Sequence, residues 1–227
     1  MDIVLMGPPG VGKGTQGVVL AERNGLSHVA SGDLFRANIR DETELGLLAN
    51  GFVERGELVP DRIVTDMVLD RVLSPDCSGT VLDGFPRTLH QARDLPDKLS
   101  AAGRRIDVAV LLTAPRQTLL SRIVGRQTCR ICQSTFNIFF QPPRHEAACD
   151  MCGGALHTRS DDNMETARHR LDVYEQQTRP IAEFYRTEGL LLEVDGLGDP
   201  DEVFSRITSA LETRLDLFRD LKPGGVL

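Results

Sequence analysis

Short apolar runs alternate along this chain with longer stretches of helical spacing. Runs of strand length stand at Ile3–Met6, Thr80–Leu82, Val108–Leu112 and Leu190–Val194, with a weaker one at Ser27–Ala30. Between and after them the apolar positions recur at helical intervals over Gly12–Asn24, Leu34–Arg40, Asp61–Leu73, Thr88–Ala102 and Pro115–Val124. Two further helical stretches run from about Asn163 to Thr187 and from Pro200 to Leu217. Strands that are apolar along their whole length, each followed by a helix, predict βαβ units and a parallel sheet covered on both faces. The expected architecture is therefore α/β, a doubly wound parallel sheet of five strands. Asp201 and Glu202, just after Pro200, suit the first turn of the last helix, where the dipole favours acidic groups.

Two segments break the rhythm. Residues 31–60 carry Gly46, Gly51 and Gly56 within helical spacing, which predicts short helices lying over a site. Residues 125–160 are rich in Cys, Gly and Pro, with an alternating run at Thr135–Phe140, and read as a small hairpin-based insert. The expected division is a core of 1–30, 61–125 and 161–227, a helical insert of 31–60 and a smaller unit of 126–160. Lys222 to Gly225 reads as a frayed tail.

Composition narrows the classes. The chain has 227 residues, 41% of them apolar and 26% charged, which suits one sizeable soluble domain with a small insertion. Trp is absent and aromatics make up 5%, so the core must rest on Leu, Ile and Val. A net charge of −7 argues against a nucleic-acid binder. The N-terminus shows no cationic leader and no long apolar stretch, so neither a signal peptide nor a membrane span is expected, and the address is cytoplasmic.

Gly7-Pro8-Pro9-Gly10-Val11-Gly12-Lys13 follows a strand and opens a helix, the context that a phosphate-binding P-loop requires. Its glycines let successive backbone N–H groups turn inward as a nest for anionic oxygens, and the helix N-terminus adds to the attraction. Lys13 supplies a mobile charge for β- and γ-phosphates. The general motif puts Ser or Thr directly after the Lys; here Gly14 stands there and Thr15 follows. Either the loop is offset or magnesium is held less directly.

This ending resembles the P-loop of nucleoside monophosphate kinases. Two further segments match: Ser31-Gly32-Asp33-Leu34-Phe35-Arg36 is similar to that family's monophosphate-binding turn, and Asp83-Gly84-Phe85-Pro86-Arg87-Thr88 to its central signature. Gln91, Arg122 to Arg126, Thr158 to Asp162 and Arg168 to Leu171 bring the resemblance to adenylate kinase specifically. Ser31 stands where many members have Thr, which keeps the hydroxyl. The matched motifs run in order along the chain up to about its last dozen residues.

The resemblance implies reversible phosphoryl transfer, ATP + AMP = 2 ADP, with magnesium accompanying ATP. It implies that Gly10, Val11, Gly12, Lys13, Gly14 and Thr15 hold ATP together with Arg126, Thr135 and Phe136, the last stacking on adenine. Ser31, Arg36 and Arg87 would hold AMP, with backbone contacts from Glu57, Leu58, Val59, Gly84, Phe85 and Pro86. Arg159 and Arg170 would bridge the two phosphate chains, and the enzyme would be a monomer. The residue chemistry agrees. Phosphoryl transfer rests on positioning and charge stabilisation, and Arg suits forked phosphate contacts. Asp83, at a strand end, would hold magnesium's water shell; its other reading is an N-cap for the next helix. The amide of Gln91 offers the donor and acceptor that adenine's N1 and N6 edge needs, or it is a plain surface residue.

Cys129-x-x-Cys132, sixteen residues, then Cys149-x-x-Cys152 fits the spacing of a structural zinc site, against the alternatives of two disulfides or four free thiols. A complete cysteine set leaves His145 and His157 unneeded, and Cys77 reads as an inert thiol. Arg126 and Arg159 flank the insert, which suits a lid over the donor that excludes water. So small a lid has little core of its own, and zinc would supply folding energy. The resemblance is to the long-lid, cysteine-bearing bacterial form.

Within kinases, the competing reading is another monophosphate as acceptor, or GTP as donor. A P-loop switch should lack Ser31–Arg36 and Asp83–Arg87 together. A nucleic-acid zinc ribbon should be basic, yet residues 129–160 set three arginines against Glu146 and Asp150. No nucleic-acid or membrane partner is expected.

Overall fold

The computed structural model describes residues 1–220, with side chains through Arg214; the expected tail at Lys222 to Gly225 lies outside the described residues. Five parallel strands form the main sheet: β1 (Asp2–Met6), β2 (Ser27–Ala30), β3 (Thr80–Asp83), β4 (Val108–Thr113) and β8 (Leu191–Asp195), in the order β2-β3-β1-β4-β8. The centre is β1, buried along all five residues, and the two edges are β2 and β8. The sheet is doubly wound, as the alternating pattern predicts.

Because side chains alternate across a strand, one run serves two cores. Ile3, Leu5, Val81, Val110 and Leu112 face one side, packing with Leu20, Ile123, Leu171 and Ile207 from α1 (Lys13–Asn24), α6 (Arg116–Val124), α7 (Met164–Val173) and α9 (Pro200–Asp220). Val4, Met6, Leu82, Ala109 and Leu111 face the other, against α4 (Asp61–Val72), α5 (Leu89–Ser100) and α8 (Pro180–Thr187). Each fully buried Leu or Ile contributes about 1.5–3 kcal/mol. Among the described residues, the largest fully buried side chains are nearly all Leu and Ile, with Tyr185 and Phe85 the aromatic ones. At the foot of β1, Asp2 is buried and paired with the Arg104 guanidinium, and Thr80 Oγ1 donates to it at 2.6 Å.

The segment expected as one helix over 163–187 is interrupted. Between α7 and α8 a π-helical turn spans Tyr174–Thr178, with the Arg179 N–H donating to the Tyr174 carbonyl at 2.8 Å. Pro180 is the physical reason: its ring has no N–H and would clash with the carbonyl four residues back, so the preceding turn widens. Residues 31–60 form α2 (Ser31–Arg40) and α3 (Glu44–Arg55), as their glycines suggest. Thr43 caps α3, its hydroxyl accepting from the Gly46 N–H at 3.0 Å.

The cysteine-rich insert is a three-stranded antiparallel sheet, β6 (Thr135–Asn137), β5 (Arg126–Cys129) and β7 (Leu156–His157), with β5 in the middle. Its core is Cys129, Cys149 and Phe136 with Leu156 against them. The alternating run at Thr135–Phe140 pairs only as far as Asn137; Ile138, Phe139 and Phe140 are exposed. Among the described residues, no helix is long and apolar enough to cross a membrane.

Candidate active site and metal centre

The carboxyl ends of β1 and β3 deliver the two halves of a crevice. In an open α/β sheet this end is where ligands bind, because the loops there diverge. From β1 the chain turns through the glycine-rich loop into α1. Gly7 and Gly10 carry φ of 144° and 82°, and a Cβ on Gly7 would stand 2.5 Å from the Leu112 carbonyl oxygen, so only glycine fits this turn. Lys13 Nζ donates to the carbonyls of Gly7 and Pro8 at 2.8 and 3.0 Å. Gly14 sits in the first turn of α1, where a Cβ would stand 3.6 Å from Asp83 Oδ2. The missing hydroxyl of the general motif therefore leaves the Asp83 carboxylate facing the loop directly.

Asp83 ends β3 and caps no helix: α5 begins six residues later and is capped by Thr88, whose hydroxyl accepts from the Gln91 N–H at 3.2 Å. Burial works against ionising Asp83, but His28 Nε2 at 3.5 Å, Lys13 and Arg87 outweigh it, and the carboxyl is held below its ordinary range. Lys13 is pushed down to about 8 by burial; Asp83 counters this, while Arg87, Arg170 and Arg126 add to the repulsion.

Five arginines expected at the site converge there. Burial pushes Arg87 down to about 10 and Arg159 down to about 9, with repulsion from Arg170 and Arg36 on the first and from Arg126 and Arg36 on the second. These values still leave both guanidinium groups charged near neutral pH. Arg126 departs in the other direction: burial lowers it, but Asp162 outweighs this. Its Nε donates to Asp162 Oδ2 at 2.7 Å, and a second bond joins its Nη2 to Oδ1. Arg170 Nη1 donates to Asp161 Oδ2 at 2.7 Å and lies 3.4 Å from Asp162 Oδ1. Arg36 pairs with Asp33, and Arg159 Nε donates to Thr128 Oγ1 at 3.1 Å. Such a density of buried positive charge suits an anion with several charges of its own.

One cavity gathers most of the residues expected around the monophosphate. Its walls include Lys13, Ser31, Arg36, Glu57, Leu58, Val59, Gly84, Pro86, Arg87, Gln91 and Arg170. Ser31 Oγ donates to the Gly84 carbonyl at 2.7 Å, which joins the α2 start to the central signature. Phe85 does not line the cavity; it is 1% exposed and packs in the core. Arg126, Arg159, Asp83, Thr135 and Phe136 also lie outside its walls. Thr135 is exposed on the insert, whereas the Phe136 ring is packed inside it. On that side the exposed rings are Phe139 and Phe140, with the Arg122 guanidinium 5.9 Å from the Phe140 ring centre.

Several contacts at the site have no role that the sequence assigns, although Asp161 and Asp162 stand within the matched segment Thr158 to Asp162. Asp161 and Asp162 hold Arg170 and Arg126, His28 touches Asp83, and Thr178 Oγ1 donates to the Arg87 carbonyl at 2.9 Å. Asp61 accepts from Thr88 Oγ1 at 2.7 Å and from Gln91 Nε2 at 2.9 Å. An acidic residue just after Pro60 reads in sequence as a first-turn helix residue, which it also is.

In the insert, the four sulfurs of Cys129, Cys132, Cys149 and Cys152 lie within 4.8 Å of one another. The separations Cys129–Cys152 and Cys132–Cys149 are both 3.5 Å, and all four are free thiols rather than disulfides. A tetrahedral centre with metal–sulfur bonds of about 2.3 Å places its sulfurs about 3.8 Å apart, so this donor set fits one ion. The Ile131 and Met151 N–H groups each point at a cysteine sulfur, Cys129 and Cys149, at 3.4 Å. His145 and His157 are not part of the cluster. Cys77 is buried apart from it, near the Gly79 carbonyl.

Known proteins resemble this chain over most of its length. The family model described as adenylate kinase matches residues 5–190. An adenylate kinase of Carboxydothermus hydrogenoformans is 46% identical over 213 residues, 93% of this chain and 100% of that protein. Those of Streptomyces avermitilis and Lachnospira eligens are each 45% identical, over 93% of this chain and 97% and 100% of theirs. A crevice of one lysine and five arginines beside a glycine-rich loop, and relatives matched over nearly their whole length, lead to one conclusion: this chain belongs to the adenylate kinase family.

Proposed function

We propose that this chain carries out its family's reaction, ATP + AMP = 2 ADP, with the following division of labour. ATP lies along Gly10, Val11, Gly12, Lys13, Gly14 and Thr15, its adenine toward the edge of the insert at Thr135, beside Phe136, whose ring is packed in the insert's core and so does not stack on the base. AMP fills the cavity under α2 and α3, with its phosphate on Arg36 and Arg87 and its base against Gln91, Ser31, Gly84 to Pro86 and Glu57 to Val59. The observation that carries this reading is the convergence of Lys13, Arg36, Arg87 and Arg170 on the cavity that Gln91 lines, with Arg126 and Arg159 close enough to repel them.

The chemistry needs no general base. A phosphate monoester is mostly dianionic near neutral pH, its second pKa being about 6. One of its oxygens bonds to the γ-phosphorus of ATP as the bond from that phosphorus to the β–γ bridging oxygen breaks, leaving ADP on both sides. Charge spreads over the moving group, and fixed cations in a dry site stabilise it more than water does. Lys13 leaves its loop carbonyls for the β- and γ-phosphates. Arg126 contacts ATP, and Arg159 and Arg170 bridge the donor and acceptor chains. Asp83 orients the water shell of the magnesium that accompanies ATP, which supplies further charge neutralisation.

Residues 126–160 act as a lid, 31–60 as the monophosphate-binding insert, and 1–30, 61–125 and 161–227 as the core. Zinc in the four-thiol centre gives the lid the folding energy that its small core lacks. A net charge of −7 speaks against nucleic-acid binding; the family resemblance supports a monomer, and a cytoplasmic enzyme without a membrane partner is part of the same reading. The test is turnover with AMP, CMP, UMP and GMP side by side, with ATP and then GTP as donor. Preference for AMP with ATP supports the assignment; equal use of the four acceptors removes Gln91 from base selection.

A further inference from the structure

The amide of Gln91 is held by two groups that cannot exchange roles. Gln91 is 2% exposed, and its Oε1 accepts from the Arg87 backbone N–H at 2.7 Å. Its Nε2 donates to Asp61 Oδ1 at 2.9 Å. A backbone N–H only donates and an ionised carboxylate only accepts. Turning the amide over would set Nε2 against the Arg87 N–H and Oε1 against the Asp61 oxygen, leaving buried polar groups unpaired on both sides. Asp61 is itself anchored, since Thr88 Oγ1 donates to its other oxygen at 2.7 Å. His90 Nδ1 stands 3.5 Å from that same oxygen, on the exposed side.

An amide has two N–H groups and two carbonyl lone pairs, so one of each remains for a ligand in the cavity that Gln91 lines. Their order is fixed by the two clamps. A 6-aminopurine presents an acceptor at N1 and a donor at N6. A 6-oxopurine presents the reverse, a donor at N1 and an acceptor at O6, and pairs only with the overturned amide.

We propose that Asp61 is a specificity-determining positioning residue, which pins the Gln91 amide in the orientation that accepts a 6-aminopurine and refuses a 6-oxopurine. Asp61 acts through Gln91 and does not touch the base, and the proposal rests on the reading of Gln91 as the base contact. With Asp61→Asn the new side chain can donate to an overturned Gln91, which relieves one of the two mismatches. Asp61→Ala relieves the same mismatch without supplying a new partner.

The experiment measures kcat/KM for AMP and for inosine monophosphate in the intact enzyme and in Asp61→Asn, Asp61→Ala and Gln91→Ala, with circular dichroism of each. The expected result is a fall of about tenfold or more in the AMP-to-inosine ratio for Asp61→Asn, the scale of one unpaired buried polar group, a smaller fall for Asp61→Ala, and a collapse for Gln91→Ala. Ratios within twofold of the parent in both folded Asp61 variants, while Gln91→Ala collapses the ratio, overturn the proposal and leave the reading of Gln91 standing. An unchanged ratio in Gln91→Ala overturns that reading and the proposal with it. Loss of folded signal in both Asp61 variants overturns the specificity role and makes Asp61 a structural residue of α4.

Discussion

Arg126 and Asp162 form a two-point ion pair at the base of the cysteine-rich insert, Nε donating to Oδ2 at 2.7 Å and Nη2 to Oδ1. Asp162 is 3% exposed and also lies 3.4 Å from Arg170 Nη1, so one carboxylate steadies two of the arginines proposed to meet phosphate. Removing one partner of a buried pair leaves the other charge uncompensated and costs about 3–5 kcal/mol. Asp162→Ala is therefore expected to lower unfolding free energy by that order in a urea titration without ligand. Bound polyphosphate replaces the lost countercharge, so saturating ATP should restore part of the loss. Equal destabilisation with and without ATP would separate Asp162 from the nucleotide site.

Lys13→Ala and Arg87→Ala test the cradle and the acceptor clamp. Each removes a cation placed at the transferring group, and one such electrostatic contact is worth about 10²–10³ in turnover. Both side chains meet the site rather than the cores, so the far-ultraviolet spectrum should be unchanged. Near-normal kcat in either variant removes that residue from the mechanism.

The depressed Lys13 sets a pH dependence. Burial, with repulsion from Arg87, Arg170 and Arg126, brings it from 10.5 to about 8, so between these values the unfolded chain holds a proton that the folded chain has released. In that window the Lys13 contribution to stability rises with pH for the nucleotide-free protein. Polyphosphate favours the charged lysine, so ATP binding at about pH 9 should take up protons and weaken as pH climbs. Calorimetry in two buffers of different ionisation heat measures the uptake. Binding with no proton uptake at that pH, or with the same uptake in Lys13→Ala, contradicts it.

The four-cysteine centre predicts about one zinc per chain by elemental analysis. Chelation, or Cys132→Ser, should lower the unfolding temperature of the insert while the parallel sheet persists, because the metal supplies folding energy only where its ligands lie. Purified protein without bound metal and with full stability would refute this role.

Local spacing made the parallel sheet and the site's outline legible. The apolar runs around Val4 and Val110 could only be buried strands, and Gly7 to Thr15 and the cysteine pairs are fixed-interval motifs that survive without coordinates. What escaped depends on residues far apart in sequence. Asp61 meets Gln91 thirty positions on, and Asp162 meets Arg126 thirty-six positions back. No periodicity links such pairs: Asp61 alone reads as a first-turn helix residue, and Asp162, though inside the matched segment Thr158 to Asp162, carries nothing in sequence that names Arg126 as its partner. The π turn before Pro180 escaped because the apolar spacing of one long helix passes through it. Phe136 was legible as an aromatic in the insert, but its burial against Cys129 and Cys149 follows from how β5 and β6 pair.

The most direct test follows the phosphoryl group itself. With γ-labelled ATP and unlabelled AMP, direct transfer to AMP puts label in the β-phosphate of ADP, forms two ADP for each AMP consumed, and leaves ATP unconsumed when AMP is withheld. Label released as inorganic phosphate at the same rate with and without AMP would contradict it.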